Sequence, residues 1–200
     1  NLQALQAVLA DVKDEVDHYI CLGDIVNYGP NSNECIELIS SLKSVDMILG
    51  NHEQYFLSPV RIQSEITLVK EFFCFCINDF KHFETLKLFK KTVEINDWTF
   101  KHTINNLKIY KNTEINITKN TSIGHSHQQY LRRINSKFLL NPGSVGQNRG
   151  NIKFANYAIL NFDHGSFKLK SIEYEYQKFL KQIVSLNYSN NCKRYYTSKI

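Results

Sequence analysis

The sequence predicts one α/β domain in which two sheets pack as a sandwich with helices outside. Three observations carry this. The first half alternates helix-periodic segments with short apolar runs, the pattern of parallel strands covered by helices. The second half is dense in short strand-like segments separated by turn residues. With 200 residues, 42% hydrophobic and 22% charged, the chain is large enough to bury one sizeable core without staples.

Leu2, Leu5, Leu9, Val12 and Val16 recur at helical spacing and predict an amphipathic helix over residues 1–15. Tyr19-Ile20-Cys21-Leu22 reads as a buried strand ended by Gly23-Asp24. Asn31 is placed to cap a second helix, with Glu34 as its capping-box partner and Cys35, Leu38, Ile39 and Leu42 as its apolar face. Met47-Ile48-Leu49 reads as the next strand, ended by Gly50-Asn51. A helix follows over roughly residues 63–80. Thr92–Ile95, Trp98–His102, Ser122-Ile123, Tyr130–Ile134, Lys137–Leu140, Ala155–Asn161 and Phe167–Tyr174 then read as strands, and residues 176–186 as a closing helix.

The formal net charge is +5, and all of it lies in residues 165–200. Residues 1–164 are neutral, which argues against a continuous nucleic-acid face and reads the excess as a solvated C-terminal helix and tail. No apolar run is long enough to span a bilayer. Cys21, Cys35, Cys74, Cys76 and Cys192 are odd in number and set among apolar neighbours. They read as buried free thiols of a cytoplasmic protein. The aromatic residues Tyr55, Phe56, Phe72, Phe73 and Phe75 read as core rather than pocket wall. His18, His82 and His164 have no motif around them and read as surface or packing histidines.

Five short motifs remain: Gly23-Asp24-Ile25-Val26-Asn27-Tyr28-Gly29-Pro30, Gly50-Asn51-His52-Glu53, His102 at a strand end, Gly124-His125-Ser126-His127, and Asn141-Pro142-Gly143-Ser144-Val145-Gly146. Singly they are weak. A Gly-Asp after a strand is ordinarily a turn. A His-x-His pair on extended backbone projects both rings to one side, where they can reach one metal or two adjacent metals. Together, an Asp, an Asn and three His sit after apolar runs beside glycines, and this mixed oxygen and nitrogen set suits first-row divalent metals.

In that order the motifs resemble the calcineurin-like metallophosphoesterases, closest to their small bacterial and archaeal phosphodiesterase branch, from residue 1 to about residue 160. The resemblance implies a four-layer α/β/β/α arrangement over residues 1–175, followed by a basic C-terminal helix and tail over residues 176–200. It implies that Asp24 bridges two metals, that Asn51, His102 and His125 bind the second, and that His127 binds the first. His52 would face the substrate and protonate the leaving oxygen. The cofactors implied are two divalent ions, manganese first, with iron, zinc or nickel also suited. The reaction implied is attack of metal-activated hydroxide on a phosphodiester, or on a monoester. A phosphoprotein or a dinucleoside polyphosphate is an alternative substrate. A non-catalytic assembly scaffold, like the related subunit of retromer, is a further alternative that the presence of His52 disfavours. Arg149 is the basic residue closest to a motif and a weak candidate for substrate binding.

One departure matters. The family's first motif, Asp-x-His-Gly-Asn, ends the first strand and supplies two ligands of the first metal, and Asn1 matches its last residue. The expectation is a chain without that strand and those ligands, with two neighbouring strand edges unpaired and little or no activity.

Overall fold

The computed structural model describes residues 1–200. Asn1 caps α1 (Leu2–Asp11), its Oδ1 accepting the Ala4 N–H at 3.2 Å, a bond worth about 1 kcal/mol. Its side-chain amide also donates to the Gly146 carbonyl at 3.0 Å and the Tyr174 hydroxyl at 2.8 Å. α1 is shorter than its periodicity predicts, yet Val12 beyond its end remains buried.

β1 (Tyr19–Cys21), α2 (Ser32–Ser40) and β2 (Val45–Met47) form a parallel unit with Tyr19 opposite Val45. Asn31 precedes α2 but does not cap it through its side chain. The amide instead donates to Glu34 Oε1 at 3.2 Å, so the predicted capping box is not formed. The second strand lies two residues earlier than its apolar run suggests. Past Met47 the chain stays extended, with the Ile48 N–H on the Cys21 carbonyl and the Leu49 N–H on the Lys90 carbonyl, so its ladder is split between two partners.

α3 (Asn51–Leu57), a 3₁₀ segment (Pro59–Ser64), α4 (Thr67–Ile77) and α5 (Phe83–Lys87) follow. Tyr55, Phe56, Phe72 and Phe73 are buried in the main core, and Phe75 stacks on Tyr188 at 3.7 Å. The second sheet contains β3 (Thr92–Ile95), β4 (Trp98–Lys101), β5 (Asn120–Ile123), β6 (Gln129–Ile134) and β7 (Lys137–Pro142), in the order β3-β4-β5-β7-β6. Its centre, β4-β5-β7, is parallel, and its two outer pairs are antiparallel. β8 (Phe154–Asn161) and β9 (Ser166–Glu173) form an antiparallel hairpin. Ile48, Val93, Trp98, Phe100 and Leu140 fill the space between the sheets. The fold is mixed α/β, as the alternation of periods predicts.

β1-β2 and β8-β9 are separate two-stranded sheets, and a cavity of about 760 Å³ lies between them. Its walls are β1, β8, the apolar face of α1, and Phe100 and Leu140 of the second sheet. Tyr19 and Cys21 turn their backbone groups to β2 and Ser44, so alternation turns Ile20 toward the cavity. Asn156 donates its N–H to the Ser144 carbonyl, away from β9, and the same parity turns Ala158 and Leu160 toward the cavity.

α6 (Tyr176–Ser185) and α7 (Asn190–Thr197) bury Phe179, Ile183, Cys192 and Tyr196 in the main core. Lys178, Lys181 and Arg194 remain exposed on their outer faces. All five cysteines are free. Cys74 is exposed, because position 74 of α4 faces away from the core that holds Cys76, so the expectation of uniformly buried thiols fails there. No helix is long and apolar enough to cross a membrane.

Candidate metal centre

The five motifs meet at one end of the cavity. Each enters at the end of an element. Asp24 follows β1, Asn51 opens α3, His102 follows β4, and His125 and His127 follow β5. Close approach of backbones makes this possible. A Cβ on Gly50 would lie 2.3 Å from Asp24 Oδ1, so only glycine fits there.

Glu53, fully buried, ties the β1 loop to α3. Its carboxylate accepts four backbone N–H groups, from Asp24, Ile25 and Gly50 at 2.8 Å each and from Val26 at 3.2 Å. Burial and the nearby Asp24 charge push its pKa up to about 7, while the backbone donors favour the ionised form. Asp24 itself sits at φ +59°, held there by this clamp. Asn141, also fully buried, pins the His-Ser-His loop, donating to the Gly124 carbonyl at 2.7 Å and to Ser126 Oγ at 3.0 Å. His125 and His127 both adopt left-handed backbone, φ +60° and +58°, not the extended form that the His-x-His spacing predicts. The loop reverses between them, so each ring reaches the cluster by a turn rather than along a strand.

Hydrogen bonds fix the tautomers. His102 Nδ1–H donates to the Leu22 carbonyl at 2.7 Å, which leaves Nε2 as a lone pair in the neutral ring. That nitrogen lies 3.0 Å from Asn51 Oδ1, 3.1 Å from His125 Nδ1 and 3.3 Å from Asp24 Oδ2. The Asn51 amide is oriented by its Nδ2–H bond to the Tyr55 hydroxyl at 3.2 Å, so its oxygen faces the cluster. His127 Nδ1–H donates to the Gln147 carbonyl at 3.2 Å, and its Nε2 stands 3.7 Å from Asp24 Oδ2.

Asp24 Oδ2 is buried and, despite these contacts, has no hydrogen-bond partner. A carboxylate oxygen, an amide oxygen and the lone pairs of His102 Nε2 and His127 Nε2 therefore converge there, with His125 Nδ1 3.1 Å from His102 Nε2. The ligand atoms of Asp24, His102 and His125 all lie within 4.8 Å of one another. Burial opposes ionisation of Asp24, but His102, His52 and His127 hold it well below the ordinary carboxylate range. Burial pushes His125 down to about 4, favouring the neutral ring that ligates. The donor set suits a divalent first-row cation.

His52 is 5% exposed and faces the same cavity. Its backbone N–H donates to Asp24 Oδ1 at 3.1 Å, and its ring stands edge-on to Tyr28 and Tyr55 at 5.1 and 5.4 Å. Asn27 Oδ1 accepts the Tyr28 N–H at 2.8 Å, which leaves Asn27 Nδ2–H to donate to His52 Nδ1 at 2.9 Å. The neutral ring therefore carries its proton on Nε2. Burial pushes its pKa down to about 4.

Arg149 is exposed, does not line the cavity and forms none of the molecule's ion pairs. His18 and His82 pair with Asp46 and Glu37 on the surface, away from the site. Glu53, Asn27, Asn141 and Gln147 were not marked as site residues by the sequence. The first three lie inside the quoted motifs, and Gln147 directly follows one.

Residues 1–165 match the family profile described as the calcineurin-like phosphoesterase superfamily domain. The uncharacterized protein MJ0912 of Methanocaldococcus jannaschii is 30% identical over 217 residues, covering 92% of this chain and 88% of that protein. A metallophosphoesterase from Sphaerobacter thermophilus superposes with a TM-score of 0.78 at 23% identity, over 100% of this chain and 95% of that one. The hypothetical protein PH1004 of Pyrococcus horikoshii superposes with a TM-score of 0.80 at 17% identity, over 97% and 92%.

Proposed function

Because the chain belongs to the calcineurin-like phosphoesterase superfamily, we propose that it hydrolyses phosphoesters, phosphodiesters first, at the Asp24 cluster. The observation that carries this is the convergence of Asn51 Oδ1, His102 Nε2 and His125 Nδ1 beside the orphaned Asp24 Oδ2. Asp24, Asn51, His102 and His125 would hold one divalent ion, and Asp24 with His127 would reach a second. Manganese is the first candidate, and iron, zinc and nickel suit the same ligands. Bound there, such ions supply Lewis-acid polarisation of the phosphoryl oxygens and activation of water.

The chain's own residues do the rest. The Glu53 clamp and the Asn141 pin fix Asp24 and the two histidines before substrate arrives, so little reorganisation is needed. His52 presents Nε2–H to the cavity. In its neutral form it stabilises the leaving oxygen by a hydrogen bond, which differs from the stored-proton role that the family resemblance implies. Asn27 keeps it in that form.

Two measurements test the proposal. The first is elemental analysis after loading with Mn²⁺ and desalting. One ion per chain is expected to remain, because His127 and Asp24 alone make too few ligands for a tight second site. The second is hydrolysis of bis(p-nitrophenyl) phosphate by the chain, and by the chain carrying an added segment ending Asp-x-His-Gly before Asn1. The extended form is expected to turn over faster. His52→Ala in that form should lower turnover roughly 10²-fold or more at unchanged metal content. A chain that retains no metal, or an extended form with no hydrolysis, would refute the assignment.

A further inference from the structure

Asn51 holds its amide in an orientation that one neighbour opposes. Its Oδ1 lies 3.0 Å from His102 Nε2. That nitrogen carries a lone pair, because the ring proton is on Nδ1 and donates to the Leu22 carbonyl. Two lone pairs therefore face each other. Turning the amide over exchanges oxygen for NH₂ at nearly unchanged shape and would give His102 Nε2 a hydrogen bond. An N–H would then stand where a cation needs an oxygen.

What opposes the turn lies on the other side of the amide. Asn51 Nδ2–H donates to the Tyr55 hydroxyl at 3.2 Å. Tyr55 is four residues further along α3, on the same face. A phenol has one proton, and Tyr55 gives it to Glu65 Oε1 at 2.5 Å. Its oxygen is left only to accept. The turned amide would press Oδ1 against that oxygen with no proton between them. The commitment of one proton thus decides which way the amide faces.

The 3₁₀ segment brings Glu65 to this place. Pro59 opens it, and Ile62 anchors it in the main core. Arg61 ties it back to α3 by donating to Gln54 Oε1 at 3.1 Å, and the Glu65 N–H closes it on the Ile62 carbonyl at 3.0 Å. Glu65 is half-buried and lies outside all five motifs. An ionised carboxylate only accepts, so it cannot hand a proton back to Tyr55. We propose that Glu65 is a positioning residue for the metal centre. By holding the Tyr55 proton it keeps Asn51 Oδ1 toward the cation and blocks the competing bond to His102. The role of the cation rests on the phosphoesterase reading above, whereas the orientation of the amide is set by the chain alone.

Three variants test this: Glu65→Met, which keeps the length and removes the acceptor, Tyr55→Phe, and the two together. Calorimetric titration with Mn²⁺ should show about tenfold weaker binding by Glu65→Met, as expected when a metal ligand loses an outer partner. Tyr55→Phe should lose about as much. The double variant should lose no more than Tyr55→Phe, because Glu65 acts through Tyr55. In the chelator-treated chain, the ¹⁵N resonance of His102 Nε2 should move upfield in both single variants as that nitrogen gains a donor. The urea midpoint of Glu65→Met should stay near the parent's, which a purely structural role would not allow. Affinity within about twofold of the parent in Glu65→Met, or losses that multiply in the double variant, would overturn the proposal and leave the phosphoesterase reading standing. A parent chain that binds no Mn²⁺ would refute that reading. The His102 resonance then decides the proposal, and an unshifted signal in both single variants would overturn it.

Discussion

At the scale of single residues, the clamp is the most consequential side chain that is not a ligand. Glu53 meets four N–H donors with two oxygens. In Glu53→Gln one of those oxygens becomes an NH₂ that faces donors, so two backbone groups lose their acceptor inside the core. The loss should be about 2–4 kcal/mol of unfolding free energy, read by urea denaturation, together with weaker Mn²⁺ retention. A variant within 0.5 kcal/mol of the parent would show the clamp to be dispensable, since changes that small are typical of sites without a special contact. The sequence made Asp24, Asn51, His102, His125 and His127 legible because ligand chemistry needs specific residue types at element ends. Glu53 and Asn141 were harder to read. A Glu on the first turn of a helix has an ordinary reading as a favourable charge at the helix N-terminus, and nothing local says that three of its four partners lie 27 to 29 residues earlier.

At the scale of elements, strands were legible and several helices were not. β3, β6, β7, β8 and β9 fall within two residues of their predicted bounds at every end because alternation and turn residues are local signals. α3 starts inside the Gly50-Asn51-His52-Glu53 motif, where the sequence predicts no helix, and α7 carries so many polar residues that it reads as tail. Tertiary burial of Cys192 and Tyr196 is what makes α7 part of the body. Tyr196→Ala should therefore cost about 3–5 kcal/mol, the range for emptying a buried aromatic site. Unfolding measured by fluorescence and by circular dichroism should shift together. Loss confined to the C-terminal residues would contradict this. β2 offers a pH test. Lys90 at 2.5 Å and His18 at 3.0 Å lower the Asp46 pKa, the Lys90 bond most. The stabilising effect is full above the unfolded value of about 3.9 and is lost as pH falls through the lower native value. Asp46→Asn should thus be less stable than the parent at pH 7 and approach it at pH 3. A constant difference across that range would remove the pair from the explanation.

At the scale of the whole molecule, the cavity of about 760 Å³ divides one plane of strands into two pairs. If it were sealed and empty, a cost of ~24 cal/mol/Å³ would amount to about 18 kcal/mol, more than a typical domain's entire stability. Glu15, Asp17, His18, Phe162 and Asp163 of its lining are exposed, so solvent reaches the cavity and part of this cost is relieved. Its remaining walls specify what fits. Ile20, Ala158 and Leu160 offer backbone groups from opposite sides, while α1 and the second sheet cover the two faces. An extended segment lying there would find hydrogen bonds on both edges and apolar contact on both faces. Such a segment reads as a continuous Val/Ile-rich run rather than an alternating one. A soluble peptide with six such residues between charged flanks should therefore raise the chain's melting temperature, more at higher peptide concentration. It should also slow hydrogen exchange at Ile20, Ala158 and Leu160. The same peptide with a central proline loses an N–H and a ladder bond, and it should do neither. Equal stabilisation by both peptides would mean that the cavity takes grease rather than a strand, and the two half-sheets would then have to be explained as separate units.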